Sequence, residues 1–172
     1  MTAARKWVSD NSWISGLLGF LLLLSIFTFI LNPHYQLTDV QSLFTSILPL
    51  ALAAVAQTVC VIAGGIDLSI SSQMALTSCV AAVLMAGQTE ELSVVVLIAV
   101  LALGLALGAL NGLLVVVTKV PDIVVTLATS FIWAGWALYV LNVPGGHLPV
   151  SFARAFTGQI AGAVPVTLVV LA

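Results

Sequence analysis

Apolar residues in this sequence are gathered into long runs separated by short polar stretches. A helix needs about 20 mostly apolar residues to cross the hydrocarbon core of a bilayer. The runs therefore predict an all-α fold, a polytopic transmembrane helical bundle of about five complete spans and a truncated sixth. We place all of them in a single membrane-spanning domain covering residues 1–172. The predicted spans are roughly 14–31, 43–63, 73–87, 94–117, 123–141 and 163–172.

Composition supports a chain that faces lipid. Hydrophobic residues make up 62% and charged residues 6% of the 172 positions, and the mean hydropathy is +1.26. A soluble domain carries about 25% charged residues, so this chain has too few charges to cover a water-facing surface. The formal net charge of -2 indicates no nucleic-acid partner.

The basic residues predict the orientation. Arg5 and Lys6 precede the first run, a layout that a signal peptide shares, but the run is long and ends without a small-residue cleavage site. An uncleaved span with a cytoplasmic N-terminus fits the positive-inside rule. Alternating spans then place Lys119 inside, as the rule favours, and Arg154 outside, which it disfavours. Because the sixth run has about half the required length, we expect the sequence to be a piece cut within that span.

The motif GGIDLSISS at 64–72 interrupts the apolar pattern between the second and third spans. Gly64 and Gly65 break a helix, while Asp67 and Ser69 suit the start of the next one. A broken backbone in a membrane must face protein or a wet cavity, which favours a role in the substrate pathway. Alternatively, Asp67 simply caps a helix near the aqueous edge, where the helix dipole favours its charge.

Small residues recur at four-residue spacing in the fourth span. Gly104, Gly108 and Gly112 form two overlapping GxxxG patterns, which let a neighbouring backbone approach closely in lipid. Asn111 lies close to that face and is able to hydrogen-bond across a helix contact. We interpret the glycines as helix-packing residues.

The segment KVPDIVVTL at 119–127 predicts the start of the fifth span. Pro121 favours a first helical turn, and Asp122 suits the positive end of the helix dipole. Thr126 follows one turn later, where its hydroxyl either lines a path or bonds its own backbone.

Signatures of catalysis and of metal binding are absent from the sequence. It contains no P-loop, no HExxH pair and no GxSxG elbow, and Asp67 is the only candidate acid within the spans. Cys60 and Cys79 lie in apolar runs and suggest neither a disulfide nor a metal site. We therefore predict no catalytic residue, no metal ligand and no enzyme activity.

Three blocks together resemble the permeases of ribose-type bacterial ABC sugar importers. They are IAGGIDLSISS at 62–72, GALNGLL at 108–114 and KVPDIVVTLAT at 119–129, in matching order and spacing. The chain departs from the family pattern at Ser71, where Gly is common, and near Asp122, where Ala or Phe is common. Family permeases are roughly twice this long, so the resemblance covers an N-terminal half.

The resemblance implies a multi-pass protein of the bacterial inner membrane within a three-part import system. Two permease chains, identical or paralogous, would form the pathway through the lipid, and a periplasmic binding protein would deliver a sugar or similar polar solute. A cytoplasmic ATPase would use the ATP, so this chain would bind no cofactor. The ATPase docking segment belongs to the second half of the family pattern. The residues expected in the pathway or its architecture are Gly64, Gly65, Asp67, Ser69, Asn111 and Thr126.

Two other functions remain open from the sequence. Ion-coupled secondary transporters also contain broken helices near the middle of the membrane. A non-transport scaffold held by the glycine stripe would have equally apolar spans but would not explain the three blocks.

Overall fold

A computed structural model describes most of the chain: residues 12–32 and 36–143, then 145–146, 149, 153–154, 158–160 and 164–165. The described part contains five helices and one pair of short strands. The chain divides into two compact units, Met1–Val40 and Gln41–Ala172. The helices are α1 (Ser12–Leu31), α2 (Leu37–Ile62), α3 (Ile70–Met85), α4 (Glu90–Thr118) and α5 (Asp122–Val140), and the strands are β1 (Gln159–Ile160) and β2 (Val164–Pro165).

Helix α1 belongs to the first unit and exposes its apolar side chains all round. None of the residues in its candidate span, Trp13–Leu31, is buried. Two of its hydroxyl groups bond to the helix itself: Ser25 Oγ donates to Leu21 O and Thr28 Oγ1 donates to Leu24 O, each at 2.8 Å. Hydroxyl groups that are satisfied within their own helix are suited to a lipid environment.

Helix α2 runs through Pro49 and ends where the motif 64–72 begins. Its apolar part, Gln41–Ile62, is 22 residues long, or about 33 Å at the rise of an α-helix. At its start the Gln36 N–H donates to Asp39 Oδ2 at 2.8 Å, which places a carboxylate at the positive end of the helix dipole.

Helices α3, α4 and α5 form the packed core of the second unit. Leu76 of α3, Leu107 of α4 and Ala137 of α5 are buried against one another. Partly buried side chains surround them: Cys79, Val80, Leu103, Trp133 and Val140. Helix α3 lies against both of the other helices, so the start of α3 is held close to each of them.

The predicted all-α architecture and the glycine break between the second and third spans are confirmed. Four of the described helices are long and apolar enough to cross a membrane, whereas α3 has only 16 residues. At about 24 Å, α3 is shorter than the hydrocarbon core of about 30 Å. The non-helical residues 63–69, here called the connecting segment, precede it.

The predicted sixth span falls almost wholly outside the described residues. Val164 and Pro165, its only described residues, are extended rather than helical. They pair antiparallel with β1 in the register Gln159 to Pro165 and Ile160 to Val164. The remainder of that span stays a prediction.

Candidate functional site

Helix α2 ends in a glycine-dependent cap. Gly64 has a φ of +85°, in the left-handed region that glycine enters without steric cost. The Gly64 N–H donates to Val61 O at 3.0 Å, and the Gly65 N–H donates to Cys60 O at 2.9 Å. This pair of bonds is the Schellman arrangement, which satisfies the last carbonyl groups of a helix and turns the chain away from its axis.

The first two turns of α5 satisfy the backbone of the connecting segment. The Ile66 N–H donates to Asp122 Oδ2, and the Leu68 N–H donates to Thr126 Oγ1 at 3.1 Å. The Thr126 hydroxyl donates to Asp122 O, one turn earlier in α5, at 2.8 Å. Two N–H groups that have no helical partner are thereby paired, as a membrane environment requires.

Gly65 permits the close approach of α5. A Cβ atom placed on Gly65 would lie 3.0 Å from Asp122 Oδ2, which is tighter than an ordinary contact. Glycine at this position therefore leaves room for the carboxylate to reach the Ile66 N–H.

Ser69 is the centre of a buried hydrogen-bond network that joins α3 to α4. Its Oγ donates to Asp67 Oδ1 at 2.6 Å and accepts from Gln73 Nε2 at 2.7 Å and Asn111 Nδ2 at 2.6 Å. A hydroxyl group has one hydrogen and two lone pairs, so all of its capacity is used. Ser69 is fully buried.

Asp67 shapes the turn that leads into α3. Its Oδ1 also accepts the Ser69 N–H at 2.8 Å, two residues along the chain, as in an Asx turn. Helix α3 begins at the next residue, Ile70. Asp67 lies two residues before the cap position, Ser69, and its side chain also lines open space; whether it acts in the pathway or only at the helix start stays a prediction.

Three adjacent cavities meet at Asp67. Their volumes are about 390, 310 and 530 Å³, and Asp67 lines all three. The first also contains Asn111, Asp122 and Thr126 in its wall. The third lies between α2 and the start of α3 and has Gln57 in its wall. The connecting segment is therefore bordered by space that polar groups reach.

Asn111 is buried with one of its two polar side-chain atoms unpaired among the described residues. It is 3% exposed, and within the described part of the chain its Oδ1 has no hydrogen-bond partner. An unpaired buried acceptor costs about 1–3 kcal/mol. Asn111 thus holds Ser69 in place through its amide nitrogen while its oxygen stays unsatisfied.

The structure brings the expected pathway residues together: Gly64, Gly65, Asp67, Ser69, Asn111 and Thr126. The expected helix-packing glycines are arranged differently along α4. A Cβ on Gly104 would lie 3.9 Å from Thr77 Cγ2 of α3, whereas no described atom lies within 4 Å of a Cβ on Gly108 or Gly112. Those two glycines line the 390 Å³ cavity instead, and their role in packing stays a prediction.

Three further polar residues belong to this region and were not predicted as site residues. They are Asp122, which binds the connecting segment, Gln73, which binds Ser69, and Gln57, which lines a cavity. Gln57 lies inside an apolar run and Gln73 begins the next one, and a polar side chain in a membrane span is a signal of function. That signal was available in the sequence.

A multi-pass helical membrane protein with a hydrogen-bonded interruption between two spans is the class that this fold and site define. The family described as "Branched-chain amino acid transport system / permease component" matches residues 40–170. The chain belongs to this family, which consists of transport permeases and not of enzymes.

Individual relatives are similar along most of the chain. The autoinducer 2 import system permease protein LsrD of Klebsiella pneumoniae is 31% identical over 172 residues, covering 94% of this chain and 50% of the relative. The ribose import permease protein RbsC of Escherichia coli K12 is 29% identical over 138 residues, covering 80% of this chain and 41% of the relative. The chain therefore spans about half the length of the curated relatives it matches. No solved structure matches it.

Proposed function

We propose that this chain contributes to the translocation pathway of an ATP-driven importer for a sugar or a similar small polar solute. The main observation in support of this function is the set of cavities around Asp67, where a non-helical backbone is held between apolar helices. Transporters place such interruptions at substrate routes because the backbone there is stabilised by protein and not by lipid. Similarity to the ribose and autoinducer 2 permeases supports an importer.

The proposal includes the partners that such an importer needs. A second permease chain, identical or paralogous, would complete the pathway. A periplasmic binding protein would deliver the solute, and a separate cytoplasmic ATPase would bind and hydrolyse ATP. In this arrangement the chain itself holds no cofactor, and it lies in the bacterial inner membrane with its N-terminus in the cytoplasm.

The connecting segment and the start of α5 lie at the same end of the helices. The end of α2 and the start of α3 lie beside the start of α5, because Ile66 bonds to Asp122 and Leu68 bonds to Thr126. Alternation from a cytoplasmic N-terminus places these ends on the cytoplasmic side, together with Lys119. The connecting segment would then border the inner part of the pathway.

Reconstitution into proteoliposomes tests whether solute uptake is driven by ATP or by an ion gradient. The full-length permease, its ATPase and its binding protein should import labelled D-ribose or a related sugar into proteoliposomes only when ATP and the binding protein are present. Ionophores that collapse proton and sodium gradients should leave the rate unchanged. Uptake that stops with the ionophores and continues without ATP would support the ion-coupled secondary transporter instead.

Asp67→Ala tests the connecting segment within that assay. The substitution removes the acceptor for both the Ser69 N–H and the Ser69 Oγ, so uptake should fall several-fold at equal membrane abundance. Unchanged uptake would overturn the role that we assign to Asp67.

A further inference from the structure

The groove between α2 and the start of α3 contains polar groups that the hydrogen-bond network around Ser69 leaves unused. Its cavity of about 530 Å³ has the size of ordinary small-molecule sites, which are about 300–1,000 Å³. Three polar residues interrupt an otherwise apolar wall. The lining residues are Leu50, Ala53, Ala54, Gln57, Asp67, Leu68, Ile70, Ser71 and Met74.

The Gln57 amide is the first of these groups. Gln57 is half-buried in the middle of an apolar helix, and within the described residues its side chain forms no hydrogen bond. Thr58, its neighbour on the same helix, differs in this respect because its hydroxyl donates to Ala54 O at 2.7 Å. Burying a primary amide in an apolar span costs free energy unless the amide is hydrogen-bonded. A ligand that enters the groove and bonds to Gln57 would remove that cost.

The Asp67 carboxylate has one oxygen available to accept a hydrogen bond from a ligand. Its Oδ1 is committed to Ser69, while its Oδ2 takes part in no hydrogen bond within the part of the chain that the structure describes. Ser71, one turn after Asp67, likewise has a hydroxyl that none of the described residues binds. The groove thus presents one oxygen that only accepts and two groups that both donate and accept.

This set of groups complements the hydroxyls of a polyol. A hydroxyl can donate to the carboxylate oxygen while it accepts from the amide nitrogen, and a neighbouring hydroxyl can pair with the amide oxygen or the serine. Leu68, Ile70 and Met74 supply apolar wall, against which the C–H groups of a sugar ring can pack. Few polar groups in a mostly apolar wall are typical of sites that orient a small ligand.

We propose that Gln57, Asp67 and Ser71 form a hydroxyl-binding subsite for a polyhydroxy solute in the groove between α2 and α3. The inference rests on the proposed function, since the solute reaches this groove only if the chain borders a transport route. It adds a point of solute discrimination within the permease itself, separate from the binding protein.

The test compares uptake of a sugar with uptake of its deoxy analogues. Full-length permease is reconstituted with its ATPase and binding protein, and a panel of D-ribose, D-xylose, D-galactose and D-glucose identifies the sugar that is imported fastest. Single-deoxy analogues of that sugar are then compared in the original protein, in Gln57→Leu and in Ser71→Ala. Thr58→Val is the matched control, because Thr58 lies outside the cavity wall and its hydroxyl bonds its own helix.

We expect Gln57→Leu to slow uptake of the parent sugar by roughly two- to tenfold, the range of one net hydrogen bond. At least one deoxy analogue should be imported equally well by the original protein and by Gln57→Leu, because the hydroxyl that Gln57 binds is missing from it. Ser71→Ala should show the same pattern with the same or an adjacent hydroxyl, and Thr58→Val should behave as the original.

Two results would overturn the subsite. If Gln57→Leu and Ser71→Ala leave the rates unchanged, or slow the parent sugar and every analogue by one common factor, these side chains have no ligand-specific role. If Gln57→Leu fails to reach the membrane, the comparison of parent sugar and deoxy analogues in Ser71→Ala tests the subsite by itself. If the original protein imports no sugar of the panel with ATP and binding protein present, the proposed function itself fails.

Discussion

The Asp122 carboxylate connects two parts of the chain that are 56 residues apart. It lies in the first turn of α5, where its charge is also favoured by the helix dipole. Its bond to the Ile66 N–H gives that carboxylate a second role, because Ile66 has no helical partner for its backbone. The two contributions can be separated by comparison with another first-turn acid.

Asp122→Ala should destabilise the protein more than Glu91→Ala. Both substitutions remove a carboxylate from the first turn of a helix, at α5 and α4 respectively, but within the described residues only Asp122 accepts an N–H from another segment. A hydrogen bond to a charged group is worth about 1.5–3 kcal/mol. The thermal unfolding midpoint of the purified full-length permease measures the difference, and equal midpoints would contradict the role of the Ile66 bond.

Asn111 and Ser69 show the limit of inference from local sequence. The sequence predicts both as pathway residues, which stays a prediction, and their direct bond joins positions 42 residues apart. Nothing in the residues near Ser69 indicates that its hydroxyl accepts a hydrogen bond from an amide of α4. Such a contact depends on the packing of α3 against α4, which a hydrophobic pattern does not specify.

At the scale of elements, apolar run length predicted the helices well and their ends less well. The run at 73–87 begins three residues after the true start of α3 at Ile70. The Asx turn at Asp67 explains this difference, because it ends at Ser69 and lets the helix begin at Ile70, although Ile70 belongs to the polar motif. The Gly64 cap was predictable because two adjacent glycines are a local signal.

Substitution of Gly64 tests whether the end of α2 matters for transport. Gly64 and Gly87 both have positive φ, +85° and +73°, and no described atom lies within 4 Å of a Cβ placed on either residue. Alanine at either site should cost about 1–2 kcal/mol of backbone strain. We expect Gly64→Ala to reduce ATP-dependent uptake and Gly87→Ala to preserve it at similar thermal stability. Equal loss of uptake in both variants would show that strain alone is responsible.

At the scale of the whole molecule, the proposed cytoplasmic N-terminus predicts on which side of the membrane each helix end lies, and this can be measured. Gln88 lies before α4 and Lys119 directly after it, at opposite ends of a helix of 29 residues. In a full-length permease without other cysteines, Lys119→Cys should be labelled from the cytoplasmic side by an impermeant thiol reagent. Gln88→Cys should be labelled from the periplasmic side. The reverse pattern would mean that the N-terminus is periplasmic.

The bonds between α5 and the connecting segment also have a mechanical consequence. Ile66 is tied to the first turn of α5 through a carboxylate, and Leu68 is tied to the next turn through a hydroxyl. A tilt of α5 therefore pulls this stretch of backbone with it unless both bonds break. Since Asp67 lies between the two tied residues and borders all three cavities, rotating one helix would reshape three spaces at once.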